Sequence, residues 1–271
     1  MARTTKKRTQ QLKHDKFRDT TLDAAGRLSH RFEGRGRTIL YAIGGAVALV
    51  ALLVAFNWWR ERRADAASTA LGKAIEIAEA PVSPTPQPNQ TGPTFATEQE
   101  RAQKAVEAFQ KVQSDYGSPY KELARYFAAA SLLTVDRPKG LSELEALSKG
   151  GGDEVAARAR FALGQAREAD AQYDAAAALY RELLNDKSGA VSPNAVRLRL
   201  ATVLEKQGKK DEAVGLLFDM VKAAREAKGK DGKPLPASTV TRAAADKLQE
   251  LSPERHAQLP AEPAAAGALP F

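Results

Sequence analysis

The feature that most limits this chain is an uncharged stretch, Ile39–Trp59, reading ILYAIGGAVALVALLVAFNWW. Ile39–Phe56 is 18 consecutive apolar or glycine positions, and Asn57 is the first amide. As a helix at roughly 1.5 Å per residue the stretch reaches about 31 Å, the thickness of a bilayer's hydrocarbon core at roughly 30 Å. A buried core helix of that length usually keeps a polar side; this one has none, so a single bilayer crossing is expected. Tyr41 at one end and Trp58 and Trp59 at the other stand where interfacial aromatic belts form. Gly44 and Gly45, with Ala42, Ala46 and Ala48, suit either a helix-packing face or ordinary spanning residues.

Charge divides around this stretch. Residues 1–38 hold 11 Lys and Arg against 4 Asp and Glu, whereas residues 60–271 hold 30 against 29. Of the net charge of +8, +7 therefore belongs to the tail, and the large remainder is nearly balanced. The tail is longer than a secretory n-region, and the apolar stretch ends in Asn-Trp-Trp-Arg where a cleavage site would need small residues, so an uncleaved anchor is expected. Arginines flank the span almost equally, but Lys6, Lys7, Arg8, Lys13, Lys16 and Arg18 tip the count toward a cytoplasmic N-terminus. Residues 60–271 are then expected outside, in the periplasm of a bacterial inner-membrane protein. Leu12, Phe17, Leu22, Leu28 and Phe32 recur among the basic residues of the tail. Such a segment can lie on an anionic leaflet, touch nucleic acid by the same electrostatics, or serve only as the topology signal. Nucleic acid is not the expected partner.

The residue inventory argues against an enzyme. There is no cysteine, which excludes disulfides, thiol catalysis and cysteine metal sites. The three histidines, His14, His30 and His256, lie near the chain ends. No glycine-rich phosphate loop follows a strand pattern. Asp153–Glu154 and Asp211–Glu212 stand at expected helix starts, where carboxylates favour the helix dipole without catalysis. No catalytic residue, cofactor, metal or small-molecule substrate is expected.

Beyond the span the chain is rich in Ala, Leu, Glu, Lys, Arg and Gln, all good helix formers, so the fold class is all-α. Residues 80–95 are proline-rich and read as an extended loop. Residues 227–236 read as a second flexible stretch. The expected organisation is a basic cytoplasmic tail at 1–38, a transmembrane helix at 39–59, a helical domain at 60–251 and a disordered tail at 252–271.

The helices repeat. Ala176, Leu179, Tyr180, Leu183 and Leu184 have the spacing i, i+3, i+4, i+7, i+8, and so do Ala213, Leu216, Leu217, Met220 and Val221. Ala105, Gly140, Ala176 and Ala213 are 35, 36 and 37 residues apart. The preceding helices keep the same register through Phe127–Ala128, Leu163–Gly164 and Leu200–Ala201. A small residue at each crossing lets two antiparallel helices approach, and large residues fill the space beside it. Ser118–Pro119 and Ser192–Pro193 predict helix starts, with serine as the cap and proline at the first helical position. Short turns at 169–172 and 207–210 predict helical hairpins.

A period near 34 with this order of small and large residues resembles the tetratricopeptide repeat. Residues 163–184 resemble it most closely, through Leu163–Gly164, Tyr173, Ala176 and Tyr180. Ala124, Arg160 and Arg197 replace its first aromatic, and its closing proline is missing. The chain is thus expected to be one transmembrane helix followed by a tetratricopeptide-repeat-like helical-hairpin solenoid. Such arrays bind other proteins on a concave surface. The register puts Glu122, Arg125, Arg158, Phe161, Gln165, Glu168, Leu198, Thr202 and Glu205 there, with Phe161 and Leu198 as apolar anchors among charges of both signs.

The order of basic tail, span and exported repeats resembles the bacterial YfgM family, single-span ancillary proteins of the Sec translocon. Lys-His-Asp-Lys-Phe at 13–17 and Asp-Tyr-Gly-Ser-Pro-Tyr at 115–120 add to the likeness. The resemblance implies translocon subunits and periplasmic chaperones as partners, besides the lipid bilayer. A scaffold for cell-wall or division assembly is the alternative role for the same domain.

Overall fold

A computed structural model describes residues 36–83 and 92–262. The chain divides into two compact units, Met1–Ala64 and Asp65–Phe271. The expectations for the basic tail, for 84–91 and for 263–271 lie outside the described residues.

In the first unit the described residues belong to one helix, α1 (Gly36–Glu79). It has no β-branched run, proline or charge between Ile39 and Trp59 to interrupt it. Its large apolar side chains from Tyr41 to Trp59 are all exposed. Among the described residues it is the helix long and apolar enough to cross a membrane.

The second unit is all-α among its described residues, with two isolated bridges besides. It contains α2 (Glu98–Asp115), α3 (Tyr120–Val135), α4 (Arg137–Gly150), α5 (Asp153–Ala169) and α6 (Tyr173–Leu184). There follow α7 (Pro193–Lys206), α8 (Lys210–Glu226), α9 (Thr239–Leu251) and the single turn α10 (Pro253–Ala257). Each helix packs chiefly on its neighbours in sequence, which makes the unit a stack of hairpins α3–α4, α5–α6 and α7–α8. That is the tetratricopeptide-repeat architecture read from the period.

The small residues do what the spacing requires. Ala105, Ala176 and Ala213 are fully buried, and so is Ala201 on the facing register. A Cβ on Gly140 would stand 2.8 Å from the backbone nitrogen of Leu133, and one on Gly164 only 2.6 Å from the ring of Tyr180. Beside these notches, fully buried Phe109, Leu144, Tyr180, Leu217 and Leu248 fill the spaces between helices. Each such side chain stabilises the fold by roughly 2–3 kcal/mol. The core is divided into three clusters along the chain rather than gathered at one centre, as stacking of local modules dictates.

The end of α1 belongs to this core. Ala67, Leu71 and Ala74, spaced i, i+4, i+7, are buried, and the last two join Phe109 and Ala128 in one cluster. The proline-rich interval therefore interrupts the connection from this helical segment to α2. Its mouth is fastened: Ser83 N donates to Phe95 O at 2.9 Å, and Phe95 N to Pro81 O at 3.2 Å. Arg101 Nη1 donates to Ala80 O at 3.2 Å beside them. Closing a longer loop costs little extra entropy, so an insertion here leaves the stack intact.

Capping follows local chemistry and corrects two expectations. Thr97, Asp136 and Ser238 each accept a hydrogen bond from the backbone three residues on, opening α2, α4 and α9. Ser118 does not cap α3. Pro119 takes the cap position, and the Ser118 hydroxyl instead donates to Glu122 Oε1 at 2.8 Å. Ser192 and Pro193 take the expected places at α7, but the serine side chain makes no cap bond.

The stretch 227–236, read as flexible, and the described part of the expected disordered tail, 252–262, are ordered. Residues 227–236 form a turn closed by Gly229 N to Lys233 O at 2.8 Å and Leu235 N to Ala227 O at 3.0 Å, with Gly232 at φ +75°. The turn returns the chain to α9, whose buried Thr241, Ala244 and Leu248 cover the end of the stack. Beyond 252, α10 forms, and Leu259 packs on the core. Arg225 Nη1 holds this segment through Pro260 O at 2.6 Å.

Candidate partner-binding surface

The first helices of the hairpins, α3, α5 and α7, carry the sequence-predicted residues. Phe161 on α5 is half-buried; its ring lies 5.9 Å from that of Tyr180 and packs on the core. It is therefore partly held in the core rather than standing free as an exposed anchor. Leu198 on α7 is likewise half-buried against the core. Gln165, one turn after Phe161, is half-buried, and Thr202 Oγ1 donates to Leu198 O at 3.0 Å within its helix.

The charged members are tied down inside the chain. Glu122 accepts from Ser118. Arg125 is exposed and bonds Glu143 of α4, Nε to Oε2 at 2.9 Å. Arg158 bonds Glu154 at 2.8 Å one turn back, while its Nε is buried without a hydrogen-bond partner. Glu168 accepts from the Tyr180 hydroxyl at 3.0 Å and pairs with Arg199 of α7 at 3.6 Å. Glu205 pairs with Lys247 of α9. Several of these groups thus fasten neighbouring helices together, a role the sequence did not show because their partners lie in other helices.

The electrostatics reflect this packing. Burial pushes the Tyr180 phenol well above its ordinary value, and the Glu168 carboxylate beside it adds to the shift. Burial also raises Tyr126, against the opposing charge of Arg158. Among the described residues, no group of three or more acidic, histidine or cysteine side chains stands where it would hold a metal ion.

Sequence reasoning missed a cleft lined by residues of both helices of the last hairpin, α7 and α8. It encloses about 470 Å³ and is lined by Asn194, Arg197, Leu216, Asp219, Met220 and Ala223. Leu216 and Met220 belong to the apolar stripe of α8, and Ala223 continues it at i+7 from Leu216; that continuation is the signal that could have located the cleft.

The expected membrane-interface residues sit on α1. Tyr41 is 75% exposed, Trp58 56% and Trp59 53%. The Arg62 guanidinium carbon lies 4.1 Å from the Trp58 ring centroid, and that of Arg63 lies 5.3 Å from Trp59.

No protein-family model matches the chain, and no curated protein matches it. Among solved structures the chain is similar to the Podosopora anserina putative kinesin light chain nearly identical TPR-like repeats, at 17% identity and a TM-score of 0.43, covering 56% of this chain and 78% of that one. A crystal structure of a single-substitution variant of the same protein is similar to the same degree, covered over 77% of its length.

Proposed function

We propose that this chain is a membrane-anchored, non-enzymatic interaction module of the bacterial envelope. In this reading α1 spans the inner membrane once, the tail lies in the cytoplasm, and the repeats work in the periplasm as an ancillary of the Sec translocon and its chaperones. The observation that carries it is a helix with every large side chain from Tyr41 to Trp59 exposed and apolar, in the same chain as a hairpin stack. Burying that surface in lipid relieves an exposure that a water-soluble chain would not tolerate. The half-buried Phe161 and Leu198, framed by charges on successive first helices, support a protein-binding role for the stack. The resemblance to the YfgM family supports the choice of partners. Tethering raises the effective concentration of the stack near a membrane partner, so weak contacts suffice.

Crosslinking in native membranes tests this. A photoreactive side chain at Gln165 is expected to capture translocon subunits or periplasmic chaperones, whereas one at the exposed Lys222 of α8 is not. Gln165 carries the probe rather than Phe161, because Phe161 also packs on Tyr180. Capture of cell-wall or division proteins instead would favour the scaffold role. Release of the intact chain by carbonate would overturn the anchoring itself.

A further inference from the structure

Arg160 and Arg197 stand 37 residues apart, the offset between Ala176 and Ala213, and so take equivalent places on α5 and α7. A guanidinium taken partly out of water needs a partner for its charge. Arg160 has one. The connection after α6 supplies Asp186, whose Oδ2 lies 3.6 Å from Arg160 Nη1, and Ala190 and Val191 of the same connection pack on the core. At Arg197 that connection has no counterpart. The residue 37 places after Asp186 is Ala223, still inside α8. The two second helices begin at equivalent residues, Tyr173 and Lys210, but α6 has 12 residues and α8 has 17. The longer helix carries the chain on to Glu226, and the cleft of about 470 Å³ lies beside Arg197 instead.

Arg197 is half-buried, and its Nη1 donates to Asn194 Oδ1 at 3.0 Å within the helix. That bond uses one of the five guanidinium donors and leaves Nε and Nη2 for the fork that matches a carboxylate. Asp219 shares the cleft, as Glu182 takes the same place on α6, and among the described residues neither forms an ion pair with the arginine of its own hairpin. Leu216, Met220 and Ala223 give the cleft an apolar wall next to this charge. Its volume lies in the range of ligand pockets, roughly 300–1,000 Å³. We propose that the cleft takes an extended segment of a partner protein, which brings one Asp or Glu side chain to Arg197 and small apolar side chains to Leu216, Met220 and Ala223. This is the chemistry that residues 185–191 supply to the preceding hairpin from within the chain. It needs neither the membrane span nor the surface around Phe161.

Met1 and Met220 are the chain's two methionines, and Met220 lines the cleft, so isotopically labelled methionine methyls report on it by NMR. The full chain in detergent is titrated with the peptide Asn-Asp-Lys-Ser-Gly-Ala-Val, the sequence of residues 185–191, acetylated and amidated so that its aspartate is the sole carboxylate. The Arg160 site is already filled from within the chain, where a high effective concentration excludes the free peptide. Saturable movement of the Met220 signal is expected, with the Met1 signal as the reference. Arg197→Gln should weaken binding about tenfold, the effect of one hydrogen bond to a charged group, and Arg197→Lys should weaken it less. Replacing the peptide's aspartate by asparagine should also weaken it about tenfold, and this change leaves the protein's fold untouched. Combined with Arg197→Gln it should add little, because both remove one interaction. A Met220 signal that does not move overturns the proposal, and so does equal binding of the asparagine peptide. Losses that add in full overturn it too, since the carboxylate then lands away from Arg197. Tighter binding of acetyl-Gly-Ala-Val with a free carboxylate would give the cleft to chain termini instead, and a Met220 signal that moves with chain concentration alone would give it to a second copy; either outcome ends the assignment.

Discussion

Hairpins α5–α6 and α7–α8 solve one packing problem with different residues. They are offset by 37 residues, which places Gly164 on Ala201, Ala176 on Ala213, and Tyr180 on Leu217. All six are buried in the same two layers of helices. In α5–α6 the notch is bare and a tyrosine ring occupies it. In α7–α8 the notch keeps one methyl, and a leucine stands where the ring would be. Glycine plus tyrosine and alanine plus leucine have nearly the same summed volume. The repeat therefore conserves the volume at the crossing rather than the residues there, as close packing at near-crystalline density demands.

The comparison breaks first at Gly164. Gly164→Ala puts a methyl 2.6 Å from the Tyr180 ring, and the ring is fully buried. The variant should lose about 2–3 kcal/mol in urea unfolding of the full chain in detergent, as overpacked cores do. Adding Tyr180→Leu copies the α7–α8 solution and should restore all but about 1 kcal/mol, a coupling that a double-mutant cycle reads directly. If the second change adds its own loss instead, the two hairpins do not share a volume rule.

The turns sharpen the comparison next. Both first helices end in the same motif: Gln172 N reaches Arg167 O at 2.8 Å, and Lys209 N reaches Leu204 O at 2.9 Å. The residue just before is left-handed in both, Ala171 at φ +57° and Gly208 at φ +77°. That conformation costs an alanine about 1–2 kcal/mol relative to glycine. Ala171→Gly should therefore stabilise the chain by about 1 kcal/mol, and Gly208→Ala should destabilise it by a similar amount. Thermal melts of the two variants should move in opposite directions.

The contrast also shows what a sequence exposes. The small positions were legible because two helix backbones can approach only where Cβ atoms are absent or single. That steric demand returns at every repeat, so Ala105, Gly140, Ala176 and Ala213 announce the period. The beginning and end of the stack were not legible. Ala67, Leu71 and Ala74 continue the helix that holds the apolar stretch, and α9 stands alone beyond a lysine- and glycine-rich turn. On the candidate surface the first-helix placement could be read from the register, but the pairing could not. Glu168 with Arg199 and Glu205 with Lys247 are meetings across helices, and no sequence period encodes which arginine or lysine reaches which carboxylate.

Tyr180→Phe tests the tyrosine solution more gently. It keeps the ring and removes the hydroxyl that donates to Glu168 at 3.0 Å, so a loss of about 1 kcal/mol is expected at neutral pH. The larger sign is in alkali. Burial and the Glu168 carboxylate raise the phenol's pKa in the folded chain, whereas in the unfolded chain it titrates near 10. Below about pH 10 the phenol is protonated in both states and adds no slope. Above it the unfolded chain releases a proton that the folded chain keeps, and stability falls by up to about 1.4 kcal/mol per pH unit. Tyr180→Phe should flatten that fall, while Tyr126, whose pKa is raised too, keeps part of it.

The smallest expected effects separate the two carboxylates at equivalent places, Glu168 and Glu205. Arg199 reaches Glu168 at 3.6 Å with its side chain 46% exposed, and Glu168 keeps the Tyr180 hydroxyl if the arginine is lost. Lys247 and Glu205 are only 20% and 24% exposed, so water screens them less. Lys247→Gln should accordingly cost about 1 kcal/mol, since it strands a half-buried carboxylate, and Arg199→Gln no more than about 0.5 kcal/mol, the range of exposed pairs. At 1 M salt, where charges are screened within about 3 Å, the Arg199→Gln effect should vanish while part of the Lys247→Gln effect persists. Equal costs at both salt concentrations would mean that the tyrosine hydroxyl gives Glu168 no second support, and the two hairpins would then differ in packing volume alone.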